Sequence, residues 1–115
     1  MERPLLVYTT FAQADDALAV GDALVRLRLA ACVNVLPGMR SVYAWRGVVD
    51  QADEVVALIK TRESLGAALA AALKEHHPYA TPVILHLSVT SADPDTLAWI
   101  LAETADPGDQ APPSG

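Results

Sequence analysis

From Cys32 to Trp45 the chain alternates at period two. Val33 and Val35 fall on one face, Cys32, Asn34 and Leu36 on the other, and Met39, Ser41, Tyr43 and Trp45 continue the pattern. Pro37-Gly38 must bend or bulge this strand, because proline cannot donate to a central ladder. Gly47 marks a turn, and Glu54 to Thr61 (EVVALIKT) reads as the returning strand of a long hairpin. At ~3.3 Å per residue a straight strand from Cys32 to Trp45 reaches roughly 45 Å. A compact domain of this length has a radius of gyration of only ~13 Å. Such a hairpin overhangs its own subunit, so Met39, Tyr43 and Trp45 need cover, and association with further copies is the plainest source of it.

The other elements frame that hairpin. Leu5 to Thr10 (LLVYTT) has the profile of a buried strand. Gln13 to Leu29 carries a helical stripe at Ala17, Val20, Leu24 and Leu27, with Asp15 and Asp16 near the positive end of the helix dipole. Gly21 lies on that stripe, where glycine costs up to ~1 kcal/mol against alanine, which points to close approach of helix and sheet. A second helix runs from Ser64 to His76, with Leu65, Ala68, Leu69, Ala72, Leu73 and His76 on one face, and Pro78 ends it at His77. Val83 to Thr90 alternates as a half-buried strand. Asp93-Pro94-Asp95 then opens a third helix, from about Pro94 to Ala102. The predicted fold is α+β, a ferredoxin-like βαββαβ sandwich with a long β-hairpin and an extra C-terminal helix. Residues 1–104 are expected to form the domain and 105–115 (ADPGDQAPPSG) a disordered acidic, proline-rich tail.

Composition narrows the functions available. The 115 residues are 52% hydrophobic and 19% charged, with 14 acidic and 8 basic side chains, giving a net charge of −6. That excess of acid argues against nucleic acid, whose binding rests on lysine and arginine, and against an anionic membrane surface. A single cysteine, Cys32, fits a reducing compartment, and neither a signal peptide nor a spanning segment is visible, so a cytoplasmic protein is expected. No phosphate-binding glycine loop, CxxC, HExxH or GxSxG occurs, and no acid, base and nucleophile set suggests an enzyme.

Few side chains offer binding chemistry. Cys32 reads either as a small buried hydrophobe or as a soft thiolate ligand for copper with a histidine nearby in space. His76 and His77 are adjacent, and adjacent helical residues diverge by ~100°, so they chelate one ion only where the chain leaves helical geometry at His77. His76 lies on the core stripe and is expected to be packed, leaving His77 as the candidate for an open site. His86 is expected as a polar contact at an interface. Lys60 is either a solvated strand end or an anion site. Tyr43, Trp45 and Tyr79 either line a pocket or pack an interface.

The run Ala31-Cys32-Val33-Asn34-Val35-Leu36-Pro37-Gly38 is not generic. With Ser41-Val42-Tyr43, Trp45, Gly47, Ile59-Lys60-Thr61-Arg62, Ser64-Leu65 and His77-Pro78-Tyr79, in this order and spacing, the chain resembles the CutA family of divalent-cation tolerance proteins from about Leu5 to Glu103. The resemblance implies a ferredoxin-like subunit in a tight homotrimer, similar in architecture to the PII signalling proteins, with hairpins pairing across subunits. It implies a role in tolerance of copper and other divalent cations, and a copper site made from a first-strand cysteine and two histidines. The histidines match His76 and His77, and Thr9 stands at the cysteine position. Ala80 and Val83 stand where the family often has glutamate, Arg46 and Val48 flank the hairpin glycine in place of its usual acid and lysine, and Ala44 replaces a common aromatic.

The expected protein is thus a trimeric CutA-like binding protein, holding copper or another divalent cation weakly through His77, assisted by His76, with Cys32 as a secondary ligand. The alternative is a PII-like module that takes a small anionic ligand or a protein partner at an intersubunit cleft edged by Lys60, Tyr79, Tyr43 and Trp45.

Overall fold

The computed structural model of the chain describes residues 2–106. The elements run β1 (Pro4–Phe11), α1 (Ala14–Arg26), β2 (Cys32–Trp45), β3 (Val48–Arg62), a 3-10 turn (Glu63–Leu65), α2 (Gly66–His76), β4 (Leu85–Ser88) and α3 (Pro94–Glu103). The strands form one antiparallel sheet in the order β2-β3-β1-β4, the ferredoxin-like arrangement the element order predicts. The principal extents are 45 × 39 × 25 Å and the radius of gyration is 15.1 Å, larger than a compact domain of this length because the hairpin projects.

Period-two alternation decides which side of the sheet is the core. Leu5, Val7, Thr9 and Phe11 of β1 and Val55, Ala57, Ile59 and Thr61 of β3 are buried against Ala17, Val20 and Leu24 of α1 and Leu65, Leu69 and Leu73 of α2. On the opposite face Leu6, Tyr8, Val56, Leu58 and Lys60 are only half-buried, since no helix covers them. Gly21 does mark a close approach: a Cβ there would stand 3.1 Å from the Cβ of Val33.

The hairpin reverses at Arg46-Gly47, with φ of 52° and 81°, the left-handed pair that a two-residue turn between twisted strands requires. The register slips between Leu36 and Met39, where Pro37-Gly38 forms the expected irregularity. β3 begins at Val48, six residues before the predicted Glu54. Its added half, Val48 to Asp53, is exposed or nearly so and carries no amphipathic pattern; pairing with β2 alone makes it a strand. β4 is shorter than predicted and all four of its residues are exposed, so the half-buried strand expected over Val83 to Thr90 is corrected to a short, uncovered edge.

The C-terminal end is anchored by arginines. Two residues after α1, Arg28 takes φ 59°, and the Arg28 and Leu29 amides return to the Val25 and Leu24 carbonyls, the left-handed cap usually given to glycine. Arg28 then donates from its guanidinium to the Ala102 and Thr104 carbonyls, while its own carbonyl accepts the Ala105 amide at 2.8 Å. Ala105 is therefore packed, one residue beyond the predicted domain limit; most of the predicted tail, 107–115, lies outside the described residues.

Candidate functional site

The two adjacent histidines have roles opposite to those expected. α2 ends at His76, and His77, obliged to be extended by Pro78, has φ −72° and ψ 136°. His76 closes the helix on an exposed face, whereas the His77 ring turns inward and is only 7% exposed. The readings of His76 as packed and His77 as open are corrected accordingly. The His77 ring stacks on Phe11 with centroids 4.2 Å apart and an interplanar angle of 13°, and its centroid lies 4.9 Å from that of Tyr79.

Both ring nitrogens of His77 are engaged. Nδ1 accepts the Tyr79 amide at 3.0 Å, which fixes the proton on Nε2, and Nε2 donates to the Thr10 carbonyl at 2.7 Å. Burial lowers the imidazole pKa from 6.5, outweighing the opposing effects of the Thr10 hydrogen bond and the Asp16 charge. A metal would have to displace one of these partners to reach the ring. Thr9 is fully buried, and its hydroxyl has no hydrogen-bond partner among the described residues.

Cys32 and Lys60 occupy the other end of the sheet. They are cross-strand partners, Lys60 in turn pairs with Leu6, and Leu6 is four residues before Thr10 on β1. At ~3.3 Å per residue this sets Cys32 about 13 Å along the strands from the His77 contact. The half-buried Cys32 thiol lies 3.7 Å from the Asn34 side-chain oxygen. Lys60 borders a small hollow with Pro4, Leu6, Val89 and Ile100, so within one subunit it does not meet Tyr79. Among the described residues no three His, Cys, Asp or Glu side chains come together in a group able to hold a metal ion.

The structure does bring Tyr43, Trp45 and Tyr79 together. They border a cavity of about 330 Å3 between the hairpin and the segment after α2, with Thr10, Glu54 and Val83 among its other walls. The Tyr79 hydroxyl donates to Glu54 Oε2 at 3.2 Å. Burial and the Glu54 charge push the Tyr79 phenol up to about 12, so it stays a neutral donor at physiological pH. Glu54 was missed in the sequence reading because it opens an apolar run. Its signal was the alternation itself, which places it on the same sheet face as Leu58 and Lys60.

Residues 5–103 match the family described as CutA1 divalent ion tolerance protein. The chain is 48% identical over 90 residues to the divalent-cation tolerance protein CutA of Pectobacterium atrosepticum, covering 76% of this chain and 82% of that one. It is 40% identical over 100 residues to the CutA of Pyrococcus horikoshii, covering 87% and 97%. The fold is similar to the crystal structure of CutA from Xylella fastidiosa, with a TM-score of 0.86 and 34% identity over 90% of this chain and 99% of that one. The family match, the identity to its members and the shared fold agree, and the chain belongs to the CutA1 divalent ion tolerance protein family.

Proposed function

We propose that the chain acts as a homotrimeric, cytoplasmic binding protein in divalent metal-ion tolerance, copper included, and performs no catalysis. Family membership carries the tolerance role. The trimer is supported by the apolar surface that the hairpin and β4 leave uncovered: Val42, Trp45, Val49 and Leu85 are 69%, 55%, 72% and 54% exposed. The cation contact falls to the HHP turn, with His76 as its first ligand because its imidazole faces solvent, and with His77 or Cys32 completing the site only through rearrangement or from another subunit.

Sedimentation velocity of the purified chain tests the assembly, and a monomer at micromolar concentration defeats it. Calorimetric titration with Cu(II) tests the site: wild type binds and His76→Ala binds more weakly. Equal binding by the two removes His76 from the reading, and no binding by either removes the direct metal role.

A further inference from the structure

The cavity beside Tyr79 has a lining that selects for one kind of charge. Three aromatic side chains, Tyr43, Trp45 and Tyr79, and one carboxylate, Glu54, border it together with small or apolar groups, and no lysine, arginine or histidine is among its walls. Among the described residues no basic side chain forms an ion pair with Glu54, although the carboxylate is half-buried. Its one side-chain hydrogen bond comes from a neutral donor, the Tyr79 hydroxyl. A carboxylate partly removed from water without a cation is costly and gains from acquiring one.

The chemistry of the walls decides which cation. A hard divalent ion needs several oxygen ligands, and a soft one needs thiolate or imidazole; a single carboxylate supplies neither set. An anion meets no positive partner. A neutral apolar ligand leaves Glu54 uncompensated. Aromatic rings attract ammonium groups through their quadrupoles, and Trp45 already attracts one charge on the hairpin: the Arg46 guanidinium carbon lies 5.6 Å from its ring centroid, in a neighbouring hollow rather than in this cavity. At about 330 Å3 the space stands at the small end of ligand sites.

We propose that the cavity bounded by Tyr43, Trp45, Tyr79 and Glu54 binds a small organic cation, an alkylammonium or quaternary ammonium group held against the aromatic side chains with Glu54 as its counter-ion. The site is independent of the His76 contact and uses none of its residues. Charge complementarity, not shape alone, is the recognition element, and the Tyr79 hydroxyl positions the carboxylate that provides it.

The test is calorimetric titration of the assembled full-length protein with choline and with 3,3-dimethylbutan-1-ol, the neutral molecule of the same shape, following the Trp45 indole by NMR in parallel. Choline is expected to bind and shift the Trp45 signal, and the alcohol to bind about tenfold or more weakly. Glu54→Gln is expected to weaken choline by about tenfold or more, as loss of a charged partner does. Trp45→Leu is expected to weaken it as well, with sedimentation velocity checking that the variant assembles as the wild type does. Equal affinity for choline and the alcohol overturns the proposal, as does unchanged affinity in Glu54→Gln. Absence of choline binding overturns it too, including the case in which a neighbouring copy fills the cavity.

Discussion

The Nε2–H of His77 donates to the carbonyl oxygen of Thr10 at 2.7 Å, tying the end of α2 to the end of β1. Because Nδ1 is already the acceptor for the Tyr79 amide, the ring serves both contacts only in its neutral form. The segment that follows, with Tyr79 against Glu54, is thereby held beside the hairpin base.

His77 is expected to make stability pH-dependent. Its folded pKa is lowered below the unfolded 6.5, so the unfolded state binds the proton more readily and its contribution to stability is full above about pH 6.5. That contribution is lost as pH falls through the lower, folded value. Urea unfolding of metal-free protein from pH 7.5 downward is expected to show a falling midpoint. His77→Phe, which keeps the stacking on Phe11, is expected to be less stable by about 1–3 kcal/mol at pH 7.5, since the buried Thr10 carbonyl loses its donor. The gap between wild type and variant should narrow as pH falls; a constant gap contradicts the assignment of the neutral ring.

Thr9 offers the opposite sign. Its hydroxyl is buried on the helix-covered face of β1 without a partner, so Thr9→Val exchanges an unsatisfied polar group for a methyl of similar shape. The expected outcome is a gain of about 1 kcal/mol, read as a higher urea midpoint at unchanged slope. A loss of stability would show that the hydroxyl is partnered in solution, by a water for example.

The contrast between these neighbouring sites bears on what sequence reasoning can reach. β2 is legible to its end residues because period-two alternation holds on each side of the break at Pro37-Gly38, and α3 because Asp93 caps it, accepting the Asp95 amide at 3.1 Å. The outer half of β3 is illegible since Val48 to Asp53 pair across a hairpin without burying a face. The histidine pair is misread because the stripe is followed to the last helical residue, His76, which is exposed, whereas His77, made extended by Pro78, projects inward where the stripe does not. Alternation gives Glu54 its face of the sheet, but its partner Tyr79 reaches it only through the return of the chain after α2, a tertiary relationship that spacing does not encode.

Arg62 is expected to be the most sensitive charged position. It is buried, donates from Nε to the Thr104 hydroxyl at 2.9 Å and from Nη2 to the Leu101 carbonyl at 2.6 Å, and lies 3.8 Å from Glu2. These contacts satisfy the end of α3, where the helix dipole is negative. Arg62→Met should cost about 2–3 kcal/mol by leaving buried acceptors bare, and Arg62→Lys should recover less than half of it, because an ammonium cannot reach the same acceptors as a planar fork. Urea unfolding read by Trp99 fluorescence in a Trp45→Phe background checks both. Full recovery by lysine would mean that charge alone, without the fork geometry, holds the helix.

Gly21 and Val33 are expected to be coupled. A methyl at position 21 stands 3.1 Å from both Cβ and Cγ1 of Val33, tighter than side chains ordinarily pack. Alanine improves helix propensity by up to ~1 kcal/mol, but here it must push β2 away from α1, and a net loss of about 1 kcal/mol is expected for Gly21→Ala alone. In a Val33→Ala background the Cγ1 contact is gone while the Cβ contact at 3.1 Å remains, so the same change should cost less there than in the wild type. Urea midpoints of the wild type, the two single variants and the double variant close the cycle. If Gly21→Ala changes stability equally in both backgrounds, the close approach of helix and sheet does not limit the site. A coupling of the expected sign makes this contact the point at which α1 sets the position of β2, and with it the projecting hairpin that carries Tyr43 and Trp45 to the cavity.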